Sequence, residues 1–488
     1  MDTGLMAWTH EQAQAVLAEQ GQEHVLRFWS SLNSEERAVF LEELEQVDFR
    51  LVGRLIREWV LSEPPEERFS RIEPIPLIPK VAGDRPDAVE AREAGEEALR
   101  QGWVGLFLVA GGQGTRLGFE GPKGAYPIGP VSKKSLFAFH AEKIRNLQRR
   151  YGCVLPWYIM VSDANADATR AFFRSHGHFG LNPADIFFLK QRMMPCIDEK
   201  GRFMLAERGR LAMNPNGHGG CLPAMIENGV IADARRRGIR ALSYFQVDNW
   251  AVKVADPYFI GYHFLRNAEM SSKNHWKNHV REAVGVHCRC DGEYRVIEYT
   301  ELDRYPQLLE VDANGRMIHG AGNPAIHILS LDFVERVVRL YDSFPWHRAH
   351  KKIPYIDERG ERVNPPKPNG YKFETFVFDA LRFIRHEPVA LEIARAGEYT
   401  PIKQFEGDNS VTSAWLRMAE YWAEWLDAAG SPVPRDDQGR PAVRIEISPE
   451  FALTQEEFLA RAAGRVFPTD RDLYIDPEGN LLSAPAAQ

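Results

Sequence analysis

Two hydrophobic periods alternate along this chain of 488 residues. Up to about residue 100 the period is helical. Phe40, Leu44, Val47, Leu51 and Leu55 recur three and four apart, which predicts one buried helical face. Asn33 with Glu36 three residues later predicts a capping box at the start of that helix. Pro64 and Pro65 end the helical stretch, and Pro74, Pro76 and Pro79 predict an extended crossing into the next domain. Nothing in these first hundred residues carries chemistry, and they read as a packing or partner surface.

From about residue 101 short apolar runs alternate with helical patterns. Val104–Val109 is a run of strand length, with a glycine-rich turn and a helix from Lys134 to about Arg150 behind it. A strand at Trp157–Val161, a helix at Asp163–Ser175 and a strand at Ile186–Leu189 come next. A helix is predicted from near Pro223 to Arg237, and a strand at Ala241–Val247 ends on Asp248 and Asn249. This order predicts an α/β fold with a doubly wound, mostly parallel sheet. Ligands of such sheets sit outside the carboxyl ends of the strands, where both the glycine turn and Asp248 fall. Asp291-Gly292 between Gly285–Arg289 and Tyr294–Tyr299 predicts a hairpin with a two-residue turn. A short strand at Ile326–Leu329 leads into a helix from about Asp332. Lys372–Ile384 reads as a further helix, and Val443–Ile447 as a strand. The expected division is an N-terminal helical region over residues 1–100, a catalytic domain over 101–395 and a small C-terminal domain over 396–488.

The glycine-rich stretch carries the chemistry. It runs Val109-Ala110-Gly111-Gly112-Gln113-Gly114-Thr115-Arg116-Leu117-Gly118, with Pro122-Lys123-Gly124 behind it. Successive exposed amides in such a turn make an anion-binding concavity, and Arg116 and Lys123 add two positive charges. Together these read as a polyphosphate site. A Walker loop is absent. Gly112 and Gly114 supply two glycines of a dinucleotide fingerprint, but Leu117 occupies the third position, which disfavours a dehydrogenase.

Composition changes this picture little. A hydrophobic content of 44% and a charged content of 26% are those of a globular protein, and a net charge of −8 argues against general nucleic-acid binding. No apolar run is long enough for a membrane span, and Met1-Asp2-Thr3-Gly4 does not open a secretory signal. Five scattered cysteines, at 153, 196, 221, 288 and 290, predict reduced thiols and a cytoplasmic protein. Cys288 and Cys290 read as neighbours on one strand face. His275 and His279 have helical metal-ligand spacing but lack the intervening Glu, and read as ordinary polar residues.

The glycine stretch is one of an ordered set. With it go Arg27-Phe28-Trp29, Gln191-Arg192-Met193-Met194-Pro195, Asn214-Pro215-Asn216-Gly217-His218-Gly219-Gly220, Gln246-Val247-Asp248-Asn249, Val296-Ile297-Glu298-Tyr299, Asn369-Gly370-Tyr371-Lys372 and Glu446-Ile447-Ser448-Pro449. The set resembles the eukaryotic-type UDP-N-acetylhexosamine pyrophosphorylases, within the wider UDP-sugar pyrophosphorylase group. The resemblance implies a nucleotidyltransferase fold and a uridylyl transfer from UTP to a sugar 1-phosphate, with pyrophosphate leaving.

The resemblance also implies roles. Ala110, Gly111, Gly112, Gly114, Thr115 and Arg116 would hold the triphosphate, and Lys123 the α-phosphate. Asp248 would hold Mg²⁺. Gln191 and Gly217 would read uracil, and Lys372 would contact UTP. Lys403 would grip the phosphate of the sugar 1-phosphate. His218, Gly285, Glu298, Tyr299 and Asn323 match positions around the sugar. Taken alone, each lysine also reads as solvated and Asp248 as a turn cap. Asp256 fits a turn or helix start as well as a ligand and stays outside the metal set.

Three positions depart from the family pattern. His218 and Ile326 stand where the family has Asn, and Arg192 where it has Gly. All lie near the sugar or base, so the reaction type is better defined than the sugar. The alternatives are a UDP-glucose or broad UDP-sugar pyrophosphorylase, and a nucleotide-sugar-binding regulator without turnover.

Overall fold

A computed structural model describes residues 8–63, 67–80 and 85–482. The prolines expected to end the helical stretch, Pro64 and Pro65, lie outside the described residues, as does Met1-Asp2-Thr3-Gly4. The chain forms two compact units from interleaved segments. The first takes residues 1–69, 191–220 and 339–379, and the second 70–190, 221–338 and 380–488. They do not match the three consecutive blocks expected from the sequence.

In the first unit the expected long helix is two helices, Ser34–Glu45 and Phe49–Leu55. Asn33 caps the first: its Oδ1 accepts the amides of Glu35 and Glu36, both at 3.0 Å, while its own N–H donates to Glu36 Oε2 at 2.8 Å. Asp48 caps the second by accepting from Leu51 N–H at 2.9 Å. Phe40, Leu44, Val47 and Leu55 are still buried. They share a core with Met194, Ile197, Phe203, Leu205, Leu211, Trp346 and Phe373. That shared core is why the N-terminal helices belong with two later segments.

Lys372 lies on a strand, not on the helix expected over Lys372–Ile384. Gly370–Glu374 pairs antiparallel with His347–Lys351, placing Lys372 opposite Ala349. A 3-10 stretch, Val377–Phe383, comes after it. The aromatic and β-branched run from Tyr371 to Phe378 favours extended backbone, and Phe373 on the strand is fully buried.

The second unit holds an 11-stranded sheet. Its strands are β1 (Ile72–Pro74), β2 (Val104–Val109), β3 (Trp157–Val161), β4 (Ile186–Lys190), β5 (Ala241–Gln246), β6 (Met270–Trp276), β7 (Gly285–Cys290), β8 (Glu293–Ile297), β9 (Ala321–Asn323), β10 (His327–Ser330) and β11 (Val389–Ile393). The order is β1-β7-β9-β6-β10-β5-β2-β3-β4, with β8 on β7 and β11 on β6. The β5-β2-β3-β4 half is parallel. The other half is largely antiparallel, so the sheet is mixed rather than mostly parallel. The helix expected from Pro223 to Arg237 breaks at Gly229 (φ +74°) into Cys221–Glu227 and Val230–Arg236.

No separate C-terminal core exists among the described residues. Trp422 and Trp425 of the helix Val411–Ala428 pack in one cluster with Leu106, Phe139 and Trp250, and so do Ile445, Phe458 and Ile475. Strand β6 is unusual in carrying Ser271, Ser272, Lys273, Asn274 and His275 fully buried. Each is satisfied or stacked. Ser271 Oγ meets His263 Nδ1 at 2.7 Å, Ser272 Oγ meets His327 Nδ1 at 2.9 Å, and Asn274 Oδ1 meets His287 Nδ1 at 3.0 Å. His275 stacks on Tyr399 at 4.8 Å. It is thus on a strand, and its helical spacing to His279 has no structural counterpart. Among the described residues no helix is long and apolar enough to cross a membrane.

This packing makes two expectations testable. Helices Pro86–Arg100 and Pro257–Leu265 touch backbone to backbone: a Cβ on Gly95 would lie 1.8 Å from the Pro257 carbonyl oxygen, and one on Gly261 1.6 Å from that of Ala91. Gly95→Ala or Gly261→Ala should cost about 1–3 kcal/mol in urea unfolding by forcing these helices apart. Burial also holds His140, His263 and His287 neutral, pushing each from 6.5 down to about 3. The unfolded chain takes up these protons near pH 6.5 and the folded chain does not, so stability falls as the pH drops below 6.5 towards 3. At pH 5 each should contribute a loss of roughly 1–2 kcal/mol. An unfolding midpoint that stays constant from pH 7 to pH 5 contradicts this.

Candidate active site

The glycine loop leaves the carboxyl end of β2 and is tied down through its carbonyls. Asn165 Nδ2 donates to Ala110 O at 2.8 Å and to Gly112 O at 3.2 Å, and Ser162 Oγ donates to Gly111 O at 2.8 Å. Lys123 N–H adds a bond to Gly112 O at 3.0 Å. Among the described residues the amides of Gly111 and Gly112 donate to nothing. With its carbonyls anchored behind, the loop turns its donors to the open side, which suits an anion. An added Cβ on Gly112 would meet only open space, whereas one on Gly114 would lie 2.7 Å from the Phe119 ring. Gly114 is therefore a packing requirement, and the space at Gly112 is free. Thr115 and Arg116 come next, both exposed.

Asp248 stands beside this loop. Strand β5 pairs with β2 in register up to Gln246 opposite Val109, and Val247 N–H reaches Val109 O at 3.1 Å. Lys123 Nζ lies 3.3 Å from Asp248 Oδ2, with both side chains mostly shielded. The segment bearing Lys403 runs alongside. Asn249 pairs with Pro401, and Ile402 N–H donates to Asp248 O at 3.0 Å. Asn249 locks this arrangement: its Nδ2 donates to Glu398 O at 2.7 Å and its Oδ1 accepts from Thr400 N–H at 2.9 Å. Lys403, the next residue after Ile402, is exposed.

A second cluster lies in the same unit. Gly285 pairs with Asn323, and a Cβ on Gly285 would lie 3.2 Å from Glu298 Oε1. Asn323 Oδ1 accepts from Ala325 N–H at 2.9 Å, but its Nδ2 is buried without a hydrogen-bond partner. A buried orphan donor is what an oxygen-rich ligand would satisfy. Tyr299, after the strand end, is 45% exposed. Tyr399 links the clusters: burial raises its phenol pKa, and the charges of Asp248 and Glu298 both push it further up.

Four candidates lie in the first unit. Gln191 is buried, and its Nε2 donates to Asn216 Oδ1 at 3.1 Å and to Gly217 O at 2.8 Å. At Gly217 (φ +82°) an added Cβ would lie 2.3 Å from Thr375 O, so only glycine fits. His218 stacks on Phe376 at 5.1 Å, and its Nδ1 accepts from Val377 N–H at 3.1 Å. Burial pushes its pKa down to about 4. Lys372 is half-buried on its strand.

The family model described as UTP--glucose-1-phosphate uridylyltransferase matches residues 72–424. The chain belongs to this family. UDP-N-acetylhexosamine pyrophosphorylase-like protein 1 of Homo sapiens is 34% identical over 504 residues, covering 96% of this chain and 99% of that protein. UDP-N-acetylglucosamine pyrophosphorylase of Saccharomyces cerevisiae is 34% identical over 471 residues, covering 92% and 96%. Among solved structures, the uridine diphosphate N-acetylglucosamine pyrophosphorylase of Trypanosoma brucei, in complex with inhibitor, superposes with a TM-score of 0.80 at 25% identity, covering 97% of this chain and 99% of that one. The nucleotidyltransferase-like fold expected from the sequence is that of this structural neighbour.

Sequence reasoning missed Ser162, Asn165 and Asn249, which touch the loops rather than a ligand. Asp256 proves to be a helix cap, accepting from Tyr258 N–H at 3.2 Å, and an ion-pair partner of Lys273 at 2.7 Å. Cys288 and Cys290 are buried free thiols 3.6 Å apart on one strand. Asn165→Leu should release two loop carbonyls and weaken UTP binding by about 1–3 kcal/mol, read by calorimetry. Unchanged affinity would remove Asn165 from the support of the loop.

Proposed function

We propose that the chain is a uridylyltransferase that makes UDP-N-acetylhexosamine and pyrophosphate from UTP and an N-acetylhexosamine 1-phosphate. The observation that carries this reading is the Lys123–Asp248 pair, held at 3.3 Å where the anchored glycine loop and the end of β5 meet. The names of the human, yeast and trypanosome relatives support it.

The reaction is an in-line displacement at the α-phosphorus, so the protein's task is positioning and charge neutralisation. The free loop amides and Arg116 bind the triphosphate and receive the leaving pyrophosphate. Lys123 neutralises charge gathering on the α-phosphate, and Lys403 holds the attacking phosphate beside it. Gln191 and Gly217 read the base, and Lys372 adds a UTP contact. Gly285, Glu298, Tyr299, Asn323 and His218 take the sugar. Among the described residues no three His, Cys, Asp or Glu side chains gather as a metal site. A single carboxylate at Asp248 nevertheless suits Mg²⁺, which takes one or two protein carboxylates with phosphates and waters. Bound there, Mg²⁺ would neutralise phosphate charge. The free thiols fit a reducing, cytoplasmic setting.

The test is pyrophosphate release with UTP and Mg²⁺, comparing the 1-phosphates of N-acetylglucosamine, N-acetylgalactosamine and glucose. Release should be fastest with an N-acetylated sugar. Lys123→Ala and Asp248→Ala should each lower kcat by about 10²–10³-fold, or 2.7–4 kcal/mol, in normally folded chains. Wild-type rates in either variant reject these roles, and binding of UTP without turnover of any sugar marks a regulator.

A further inference from the structure

The helix Leu136–Tyr151 starts where the Lys123 loop ends. Ser135 caps it by accepting from Ala138 N–H at 3.2 Å. Phe137 in its first turn is fully buried, and its ring takes the place of any side chain at residue 124: a Cβ on Gly124 would lie 2.2 Å from it. The helix therefore props the turn that carries Lys123.

The same helix also reaches the segment that carries Asp248. His140 Nε2 lies 3.2 Å from Val247 O. A carbonyl can only accept, so Nε2 bears the proton. Lys143, three residues on and on the same side of the helix, donates to Trp250 O and, at 2.9 Å, to Val252 O. Both side chains are buried, and the hydrogen bonds of both go to backbone carbonyls. A buried ammonium is costly, and burial pushes Lys143 down to about 7 although the charge of Glu398 works the other way. Filling the same volume requires only a methionine. What methionine or leucine would not supply is donors to three carbonyls, of residues 247, 250 and 252, which bracket Asp248.

We infer that His140 and Lys143 are positioning residues for the nucleotidyl transfer, gripping the backbone on both sides of Asp248 so that its carboxylate stays fixed against the Lys123 turn. The inference rests on the uridylyl-transfer reading. It adds a function for two side chains that touch no substrate.

The experiment compares Lys143→Met, Lys143→Gln, His140→Leu and His140→Gln in the full chain. Pyrophosphate release from UTP and N-acetylglucosamine 1-phosphate is measured across Mg²⁺ concentrations, with thermal melts as the folding control. Lys143→Met and His140→Leu should lower kcat by about 10²-fold through misplacement of the acid. The Mg²⁺ concentration for half-maximal rate should rise by about tenfold or more. Both Gln variants, whose amides still donate, should recover part of each loss. Folded Lys143→Met and His140→Leu with wild-type kcat and Mg²⁺ requirement overturn the inference. If Lys143→Met does not fold, the His140 pair decides by the same two readouts. Calorimetry of Mg²⁺ binding in the presence of UTP gives the comparison without turnover. A wild type that binds Mg²⁺ with UTP but releases no pyrophosphate thus overturns the reaction, while the shift in Mg²⁺ affinity still decides the clamp.

Discussion

The in-register parallel pairing of Val104–Val109 with Ala241–Gln246 is the constraint on which the placing of the glycine loop beside Asp248 depends. Each strand is buried along nearly its whole length. Slipping the pair by one residue would turn every side chain of one strand to the other face, where it would no longer match the side chains packed there. Because the strands are parallel and end level, the residues after them emerge side by side. From one come Ala110–Gly112, whose glycine amides are free, and from the other comes Asp248. Two features with no relation in sequence become neighbours through backbone hydrogen bonds alone. A third segment is added by the same kind of bond, from Ile402 N–H to Asp248 O, which brings the chain bearing Lys403 alongside the Asp248 backbone.

That arrangement is held from beneath by charge. Lys273, fully buried, bridges Asp256 at 2.7 Å and Glu398, while Lys253 pairs with Glu398 at 3.2 Å. Two positive and two negative groups alternate, so the set carries no net charge. Such a network is weak evidence for stability, because desolvation consumes most of the attraction, but removing one member costs about 3–5 kcal/mol. Its position is the informative part. Asp256 closes the segment that Asp248 opens, and the carbonyl of Glu398 holds Asn249. The segment is anchored near both of its ends, which holds the Asp248 backbone in one geometry.

The parallel half of the sheet is legible in the sequence because its strands are continuous apolar runs bounded by turns. The strand at Trp157–Val161 has the same bounds in the pattern and in the fold. Asp291-Gly292 announces its hairpin, and Asp291 does adopt positive φ (48°). Strand β6 is not legible at all. Ser-Ser-Lys-Asn-His reads as a solvated stretch, and only the buried histidines, the Asp256 and Glu398 carboxylates and the Tyr399 ring around it make it a core strand. The strand at Gly370–Glu374 passes for helix because its run of large side chains fits either period, and its partner strand at His347–Lys351 carries no apolar signal. The interleaving of the units is hidden for a different reason: it depends on which distant segments share a core, and no local pattern encodes that. Of the candidate site residues, those proposed for phosphate announce themselves by glycine and charge. Asn165, Asn249, His140 and Lys143 do not, because their work is done on the backbone.

The departures from the family pattern do not weigh equally. Ile326 is 4% exposed and packs in the large core of its unit, so the exchange of Asn for Ile there is absorbed by packing and leaves no polar group for a ligand. His218 is different. Its Nδ1 is committed to Val377 N–H and its ring is clamped by Phe376 and Phe378, so only Nε2–H remains to offer, and burial keeps the ring neutral. An asparagine presents an acceptor as well as a donor. The exchange therefore removes an acceptor while retaining a donor, and a sugar substituent with a carbonyl oxygen loses nothing by it, whereas one that must donate does. If His218 faces the sugar, as the resemblance implies, an N-acetyl carbonyl would still find a donor in its Nε2–H.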